Sequence, residues 1–587
     1  MAETGDWKLW AVGEFCSILP DGSIRPADRS AGTHWRVDAP GTLTLKAPRN
    51  GWLSFRAVVQ GNGPFSLAVR VGGGIAVELF REFYHKIKDK DEWIADALVP
   101  VKSGQKLLLP DPDNQVPNQA VQSVWVDLFV PADAPVGPQA GQVILKAGGG
   151  QQKIDLAIEV LEVAYPDADC VQVDHNSYGS TFLEKQYPKA VPSKVGPRKT
   201  AALIELIHKL HAMFFEHHGV YHQLGFSHDG RTSPLFAPGV AGDGKERHVS
   251  DWSIYDAHYG PLLDGSAFAG GRRKPQPAWG IYTAFNPDWP ADYLGFGQPG
   301  YGVEFVNVMR DFDQHFREKG WTKTVVEFMF NHKKRYRYFE WDGDEPRYPR
   351  DDDRFRYYRK LMDQATAGSP VNWRFRIDAS WMQKTHWTTL AGVTDFWVNG
   401  GFVKWYRDEV HAGPMSRNDI VWTYTGGASV FDPSSHIAQT PYCIWMRDFT
   451  GNVNWLTVSP GPDPWFANTG AREAMVYPGD RFGINGPIPS VRLKVQRNAT
   501  QDINLLDQAA KALGKQRVVE ELTATVPVEL WEEPPDGVKR LPPHEWTSAA
   551  FVRSMEPDKE QLKVLDPLWW EKVREYARNR AAEVARG

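Results

Sequence analysis

The most constraining feature of this chain is a change of pattern at "AYPDADC", residues 164–170. Before it, "TLTLKAPRNGWLSFRAVV" and "FSLAVRVGGGIAVELF" alternate or cluster β-forming residues between Gly, Pro and Asn. "VWVDLFVPADAPVGPQAGQVILKAGGGQQKIDLAIEVLEV" reads as three strands joined by a Pro-rich turn and a Gly-rich hairpin. No helical stretch interrupts them, so residues 1–165 are predicted to form a β-sandwich of seven or more strands. After the change, short apolar runs alternate with amphipathic helices. "CVQVDHNSYG", "VYHQLGF", "KTVVEFMFN", "NWRFRIDAS", "DFWVNGG", "DIVWTYTGG" and "VNWLTVS" read as strands that open into polar or Gly-rich loops. "RKTAALIELIHKLHAMFFEHHG", "GVEFVNVMRDFDQHFREKGW" and "DDRFRYYRKLMDQATAG" read as helices between them. This alternation predicts a parallel sheet. Six to eight such units, with no dinucleotide glycine fingerprint after the first strand, favour a (β/α)8 TIM-like barrel over residues 166–514.

Residues 515–587 are expected to add a short structural extension. "RVVEELTATVPVELWEEPPDGVKRLPP" is read as one or two edge strands, and "DPLWWEKVREYARNRAAEVARG" as a helix docking through Trp569 and Trp570. The whole is thus multidomain, β followed by α/β, as expected for 587 residues.

A net charge of −5 offers no electrostatic reason to expect nucleic acid as a partner. No run approaches the ~20 apolar residues that span a bilayer, so no membrane insertion is expected. The start, "MAETGDWKLW", lacks the layout of a signal peptide; the expectation is a cytoplasmic protein, or an exported one whose signal has been removed. Cys16, Cys170 and Cys443 are far apart and are expected to be free thiols. Nothing indicates an oligomer. "HKLH" and "HHGVYH" cluster histidines, but no HExxH appears, and neither a metal nor an organic cofactor is expected. The count that stands out is 24 Trp. Trp suits places where a flat apolar face meets polar groups, as in a sugar cleft, although most are expected in the core.

In such a barrel the site lies where strands end. Asp174 and Asn176 close the first strand, Tyr221 and His222 lie on the second, Asp378 follows later, then Asn399, Trp422, Tyr424 and Trp455. The stretch "YFEWDGDEPRYPRDDDRFRYY", 338–358, raises the main question: a solvated loop, or a pair of working carboxylates? Successive strand residues point to opposite faces, so Asp344 and Glu345 share a cavity only where the chain has begun to turn. Pro346 disfavours helical geometry at Glu345 and predicts an extended or turning exit, with "YFEW" as the approaching strand.

The segments "DWSIYDAHYGPLLDGSAFAGGRRK", "WTKTVVEFMFN", "GDEP", "VWTYTGG", "DPWF" and "YPGDRFGINGPIPSVRLKVQRNATQD", in this order, resemble the catalytic domain of glycoside hydrolase family 123 and its uncharacterised relatives, over roughly residues 170–515. The resemblance implies retaining hydrolysis of a terminal β-linked N-acetylgalactosamine, without a protein nucleophile and without a cofactor. The substrate's 2-acetamido oxygen attacks the anomeric carbon, an exception to the scheme with a covalent carboxylate. Glu345 matches the general acid/base, and Asp344 the carboxylate that orients the acetamido N–H. Trp422 and Tyr424 would wall the acetamido pocket, Trp455 and Trp465 would stack on sugar, and Asp378, Asn399, Asn176 and His222 would line the substrate site. Two other readings stay open: a glycosidase acting on a sugar without the acetamido group, with Asp378 or Asp174 as nucleophile, and a non-catalytic glycan-binding protein.

Overall fold

The computed structural model describes residues 7–87, 92–346, 348–379, 386–400, 407–425, 429–459, 461, 464–465, 473–526 and 566–586. In the N-terminal region, strands Arg36–Asp38, Lys8–Gly13, Gly51–Gln60, Val121–Val130, Ala76–Lys86 and Trp93–Val101 form, in that order, an antiparallel six-stranded sheet. Gly41–Arg49, Gly150–Ala164, Gly137–Ala147, Gly63–Val71 and Lys106–Leu109 form a five-stranded one. Alternation explains how they meet: along Gly150–Ala164, Leu156, Ile158 and Val160 are buried while Asp155, Ala157 and Glu159 are exposed. These residues join Phe55, Ala57, Val59, Val124, Val126 and Leu128 of the larger sheet in one apolar cluster.

The second region is an all-parallel, nearly closed barrel of eight strands. They are β1 (Gln172–Tyr178), β2 (Val220–Leu224), β3 (Gly280–Tyr282), β4 (Val325–Met329), β5 (Asn372–Ala379), β6 (Phe396–Gly400), β7 (Ile420–Thr425) and β8 (Gly451–Asn454). Each leads to a helix: α1 (Pro197–Glu216), α2 (Ser253–Asp264), α3 (Pro299–Lys319), α4 (Pro349–Thr366), the short α5 (His386–Thr389) and α6 (Arg407–Ala412), α7 (Gln439–Met446) and α8 (Val491–Leu513). The hydrogen-bonded order runs β2-β1-β8-β7-β6-β5-β4-β3. Across the remaining gap the rings of His222 and Tyr282 lie 4.8 Å apart. The three-residue β3, in "WGIYTAF", is too short to show a period and escaped the sequence reading.

One end of the barrel is filled by Val325, Phe396, Val398, Trp422 and Val453, with Trp279 against them. Gly451 is required there, because a Cβ would fall 2.4 Å from the Trp422 ring. Gly451→Ala is expected to cost about 1–3 kcal/mol through overpacking, read as a lower Tm at unchanged fold.

The two regions meet along α8, which is buried nearly all round. The Ser490 hydroxyl caps it by accepting from Leu493 N–H at 3.0 Å. Lys494 and Arg497 reach Asp127 of the six-stranded sheet at 2.5 and 2.9 Å, and Arg492 reaches Asp96 at 2.7 Å. The cations hold Asp127 well below the usual carboxylate range although its burial works the other way. Asn498, in the sequon-like "NAT", is 1% exposed and lies in this seam.

In the C-terminal extension, the first expected strand is instead the helix α9 (Lys515–Thr523). Val518 and Leu522 are its buried pair, so the spacing that governs is the four-residue one. The remainder of that expectation, 527–543, lies outside the described residues. The terminal helix α10 (Pro567–Arg586) docks by stacking Trp570 on Tyr442 at 5.1 Å and by an Arg574–Asp502 ion pair of 2.8 Å. Cys16 and Cys170 are free thiols, and Cys443 is buried.

Candidate functional site

The Asp-Glu step is reached by a detour. No strand carries "YFEW": β4 ends at Met329, and the chain passes through a single 3-10 turn, Lys334–Tyr336, before folding back. Phe339 and Trp341 anchor the return, with Trp341 fully buried against Phe330, His332 and Tyr358. The main chain then closes on the strand ends. Gly343 N–H and Asp344 N–H donate to the His332 carbonyl at 3.0 and 3.2 Å, and Glu345 N–H donates to the Asp378 carbonyl at 3.2 Å. Glu345 has φ +55°, a left-handed conformation uncommon outside glycine and seen where a structure over-determines it. The chain thus leaves Glu345 in a sharp turn rather than an extended exit. Helix α4 follows, with Asp351 closing its first turn by accepting from Tyr348 N–H at 2.8 Å. Asp351 is fully buried, so the charge run is not one exposed face.

Lys333 stands between the two carboxylates. Its Nζ lies 3.0 Å from Asp344 Oδ2 and 2.7 Å from Glu345 Oε2. His228, in the loop after β2, places Nε2 3.1 Å from the same Asp344 oxygen. Burial pushes Asp344 up, but the His228 hydrogen bond and the Lys333 charge outweigh it and hold the carboxyl below its ordinary value. Burial alone would lower Lys333, yet Asp344 and Glu345 raise it.

Beneath this pair a chain of alternating charges crosses the barrel. Asp174 Oδ1 lies 2.8 Å from His222 Nδ1, and His222 Nε2 lies 2.6 Å from Glu327 Oε1. Arg376 then contacts Glu327 at 2.7 Å and Asp378 at 2.7 Å. The His222 contacts are ion-pair contacts without hydrogen-bond alignment. Burial lowers His222, but Asp174 and Glu327 overcome it and raise the imidazole to about 9. Burial lifts Asp378 to about 6, with Arg376 opposing and Asp344 and Glu327 adding to the rise.

A raised histidine stabilises the fold in full below its unfolded value of about 6.5, and that contribution is lost as pH rises through about 9. The wild-type Tm is therefore expected to fall between pH 7 and pH 9 more steeply than that of His222→Gln, as thermal unfolding across that range will read.

The structure separates the sequence candidates. Asp344 and Glu345 sit together at the barrel mouth. Tyr424 is half-buried beside them; burial raises its hydroxyl, as do Tyr178, Asp378, Asp344 and Tyr282 around it. Trp455 follows β8, is 40% exposed, and donates its indole N–H to Tyr178 Oη at 3.2 Å. Asn176 is buried and its Oδ1 accepts from Leu456 N–H at 2.9 Å, which pins the same loop. Asp378 is tied to Arg376.

Four candidates go elsewhere. His222 has no exposed side-chain surface and belongs to the charge chain. Trp422 is fully buried between Trp279 and Phe396, at the closed end, because β7 alternation sends it into the barrel core. Trp465 packs with Phe83, Tyr477 and Phe482 in a cluster that joins the barrel's chain to the six-stranded sheet. Asn399 shares the outward side of β6 with Trp397, opposite Phe396 and Val398. The histidine cluster is dispersed: His208 contacts the His258 carbonyl, His217 the Met213 carbonyl, and His218 pairs with Asp169.

Sequence reasoning passed over Lys333, His228 and Tyr178. "FNHKK" follows a strand directly, and a cation at a strand end beside a carboxylate pair was the available signal.

The paired carboxylates thus sit at the mouth of a nearly closed parallel barrel that adjoins a β-rich region. Among solved structures, the chain is similar to a family 123 glycoside hydrolase from Clostridium perfringens described for glycolipid glycan hydrolysis. The TM-score is 0.65 at 12% identity, covering 99% of this chain and 98% of that one, and the two share a fold. A two-module xylanase 10B fragment (CBM22-1 and GH10) from Clostridium thermocellum aligns over 77% of this chain and 95% of that one, with 9% identity and a TM-score of only 0.31. No protein-family model matches the chain, and no curated protein matches it in sequence.

Proposed function

We propose that this protein is a retaining exo-glycoside hydrolase releasing terminal β-linked N-acetylgalactosamine, or a related N-acetylhexosamine, by substrate assistance. One observation carries the proposal: two sequence-adjacent carboxylates at the barrel mouth, on a turn with Glu345 in the left-handed region and bridged by Lys333. The shared fold and the exposed Trp455 beside the site support it.

In this mechanism the acetamido carbonyl oxygen forms a bond to the anomeric carbon as the glycosidic bond breaks. Glu345 gives its proton to the departing oxygen. Asp344 accepts from the acetamido N–H and offsets the positive charge of the oxazolinium ring. Glu345, now a carboxylate, takes a proton from water, which attacks the anomeric carbon and reopens the ring with retained configuration.

Release of nitrophenol from 4-nitrophenyl N-acetyl-β-D-galactosaminide, blocked by a thiazoline mimic of the intermediate, tests the proposal. Turnover confined to sugars without the acetamido group sinks it, and glycan binding without turnover points to a binding protein. Asp344→Asn is expected to slow acetamido substrates by about two orders of magnitude or more, since it removes charge stabilisation in a partly dry site. A near-normal rate rejects the role given to Asp344. A glycosidase of the other kind needs a second free carboxylate about 5 Å from the acid; Asp174 is closed in the barrel, and Asp378 is committed to Arg376.

A further inference from the structure

Two donors converge on a single oxygen of Asp344. His228 Nε2 and Lys333 Nζ both approach Oδ2, at 3.1 and 3.0 Å. Among the described residues, no hydrogen bond is made to Oδ1. A carboxylate only accepts, so the His228 ring carries its hydrogen on Nε2. The donors are themselves held. Tyr336 stacks on the His228 ring with centroids 5.5 Å apart and planes 8° from parallel. Lys333 is only 14% exposed and is tied at the same time to Glu345.

We infer that Lys333 and His228 are positioning residues for the proposed hydrolysis: they pin Asp344 through Oδ2 and present Oδ1 to the acetamido N–H, while Lys333 ties Glu345 to the same clamp. This rests on the substrate-assisted reading above. The physical reason is economy of orientation. A carboxyl that must accept one N–H along one line loses rate when it can rotate, and a displacement of about 1 Å can cost about a hundredfold. Lys333 does a second thing. When Glu345 gives up its proton, two neighbouring carboxylates stand side by side, and the ammonium between them offsets their repulsion.

The test uses the full chain with 4-nitrophenyl N-acetyl-β-D-galactosaminide. Lys333→Met is expected to lower kcat by about a hundredfold while KM moves by less than about threefold. Lys333→Cys should fall equally. S-aminoethylation, which rebuilds an ammonium at the same reach, should restore at least about tenfold of it, with the wild type treated in parallel as control. His228→Leu should lose about tenfold, whereas His228→Gln, which keeps an N–H donor, should lose under about threefold. Lys333→Met with kcat within about threefold of wild type overturns the inference, as does loss in Lys333→Cys that aminoethylation leaves untouched. A crystal structure of Lys333→Met reads the clamp without turnover: the Asp344 carboxylate should rotate, and an unchanged orientation overturns it. An inactive wild type refutes the proposed function, and the crystallographic comparison still judges the clamp.

Discussion

Glu345→Gln is expected to lower kcat/KM by about 10²–10⁴-fold on an N-acetylhexosaminide whose leaving group is a sugar. The loss should be smaller for a nitrophenyl glycoside, because nitrophenolate departs without a proton. That contrast is what separates a proton donor from a binding residue, which would hurt both substrates alike. The replacement keeps size and shape at a position with φ +55°, so backbone strain should not change. Lys333 loses one of its two carboxylate partners but keeps Asp344. Thermal unfolding should therefore stay close to wild type. Equal losses with both leaving groups would remove Glu345 from the acid role.

The second large effect concerns stability. Arg376 has no exposed side-chain surface and stands between Glu327 and Asp378, both at 2.7 Å. Arg376→Met leaves a carboxylate on either side without its cation, and is expected to cost about 3–5 kcal/mol in urea unfolding. His222 still faces Glu327, so the orphan that matters most is Asp378. Arg376→Met combined with Asp378→Leu should recover part of the loss, because an apolar replacement removes the uncompensated charge along with its partner. A single-mutant cost under about 1 kcal/mol would show that the charge chain contributes little to holding the barrel together.

These two residues differ in how visible they were beforehand. Glu345 was singled out beforehand, because "GDEP" puts two carboxylates before a proline and is one of the segments that carry the family resemblance. Arg376 did not, since an arginine inside "NWRFRIDAS" is compatible with either side of a strand. The tryptophans make the same point. Trp455 and Trp422 both sit on or just after a C-terminal barrel strand, yet one is 40% exposed at the mouth and the other is sealed at the far end. Alternation sends a side chain inward or outward, but not to a given height along the barrel. "YFEW" failed for a related reason: aromatic residues suit a strand and also suit a loop that must bury anchors, and Phe339 and Trp341 do the latter.

By itself, the sequence determined the local patterns: two-residue alternation in the first part, strand–helix alternation in the second, and an extended or turning exit at the Asp-Glu-Pro step. These follow from side-chain periodicity and backbone sterics, which act between near neighbours in the chain. The tertiary structure alone decided which charges meet. Lys333 is close to Asp344 in sequence but reaches it only because the intervening loop folds back, and His228 arrives from 116 positions away. Such pairings depend on which strands close the barrel and how burial strengthens each charge contact, and no local preference in the chain encodes either.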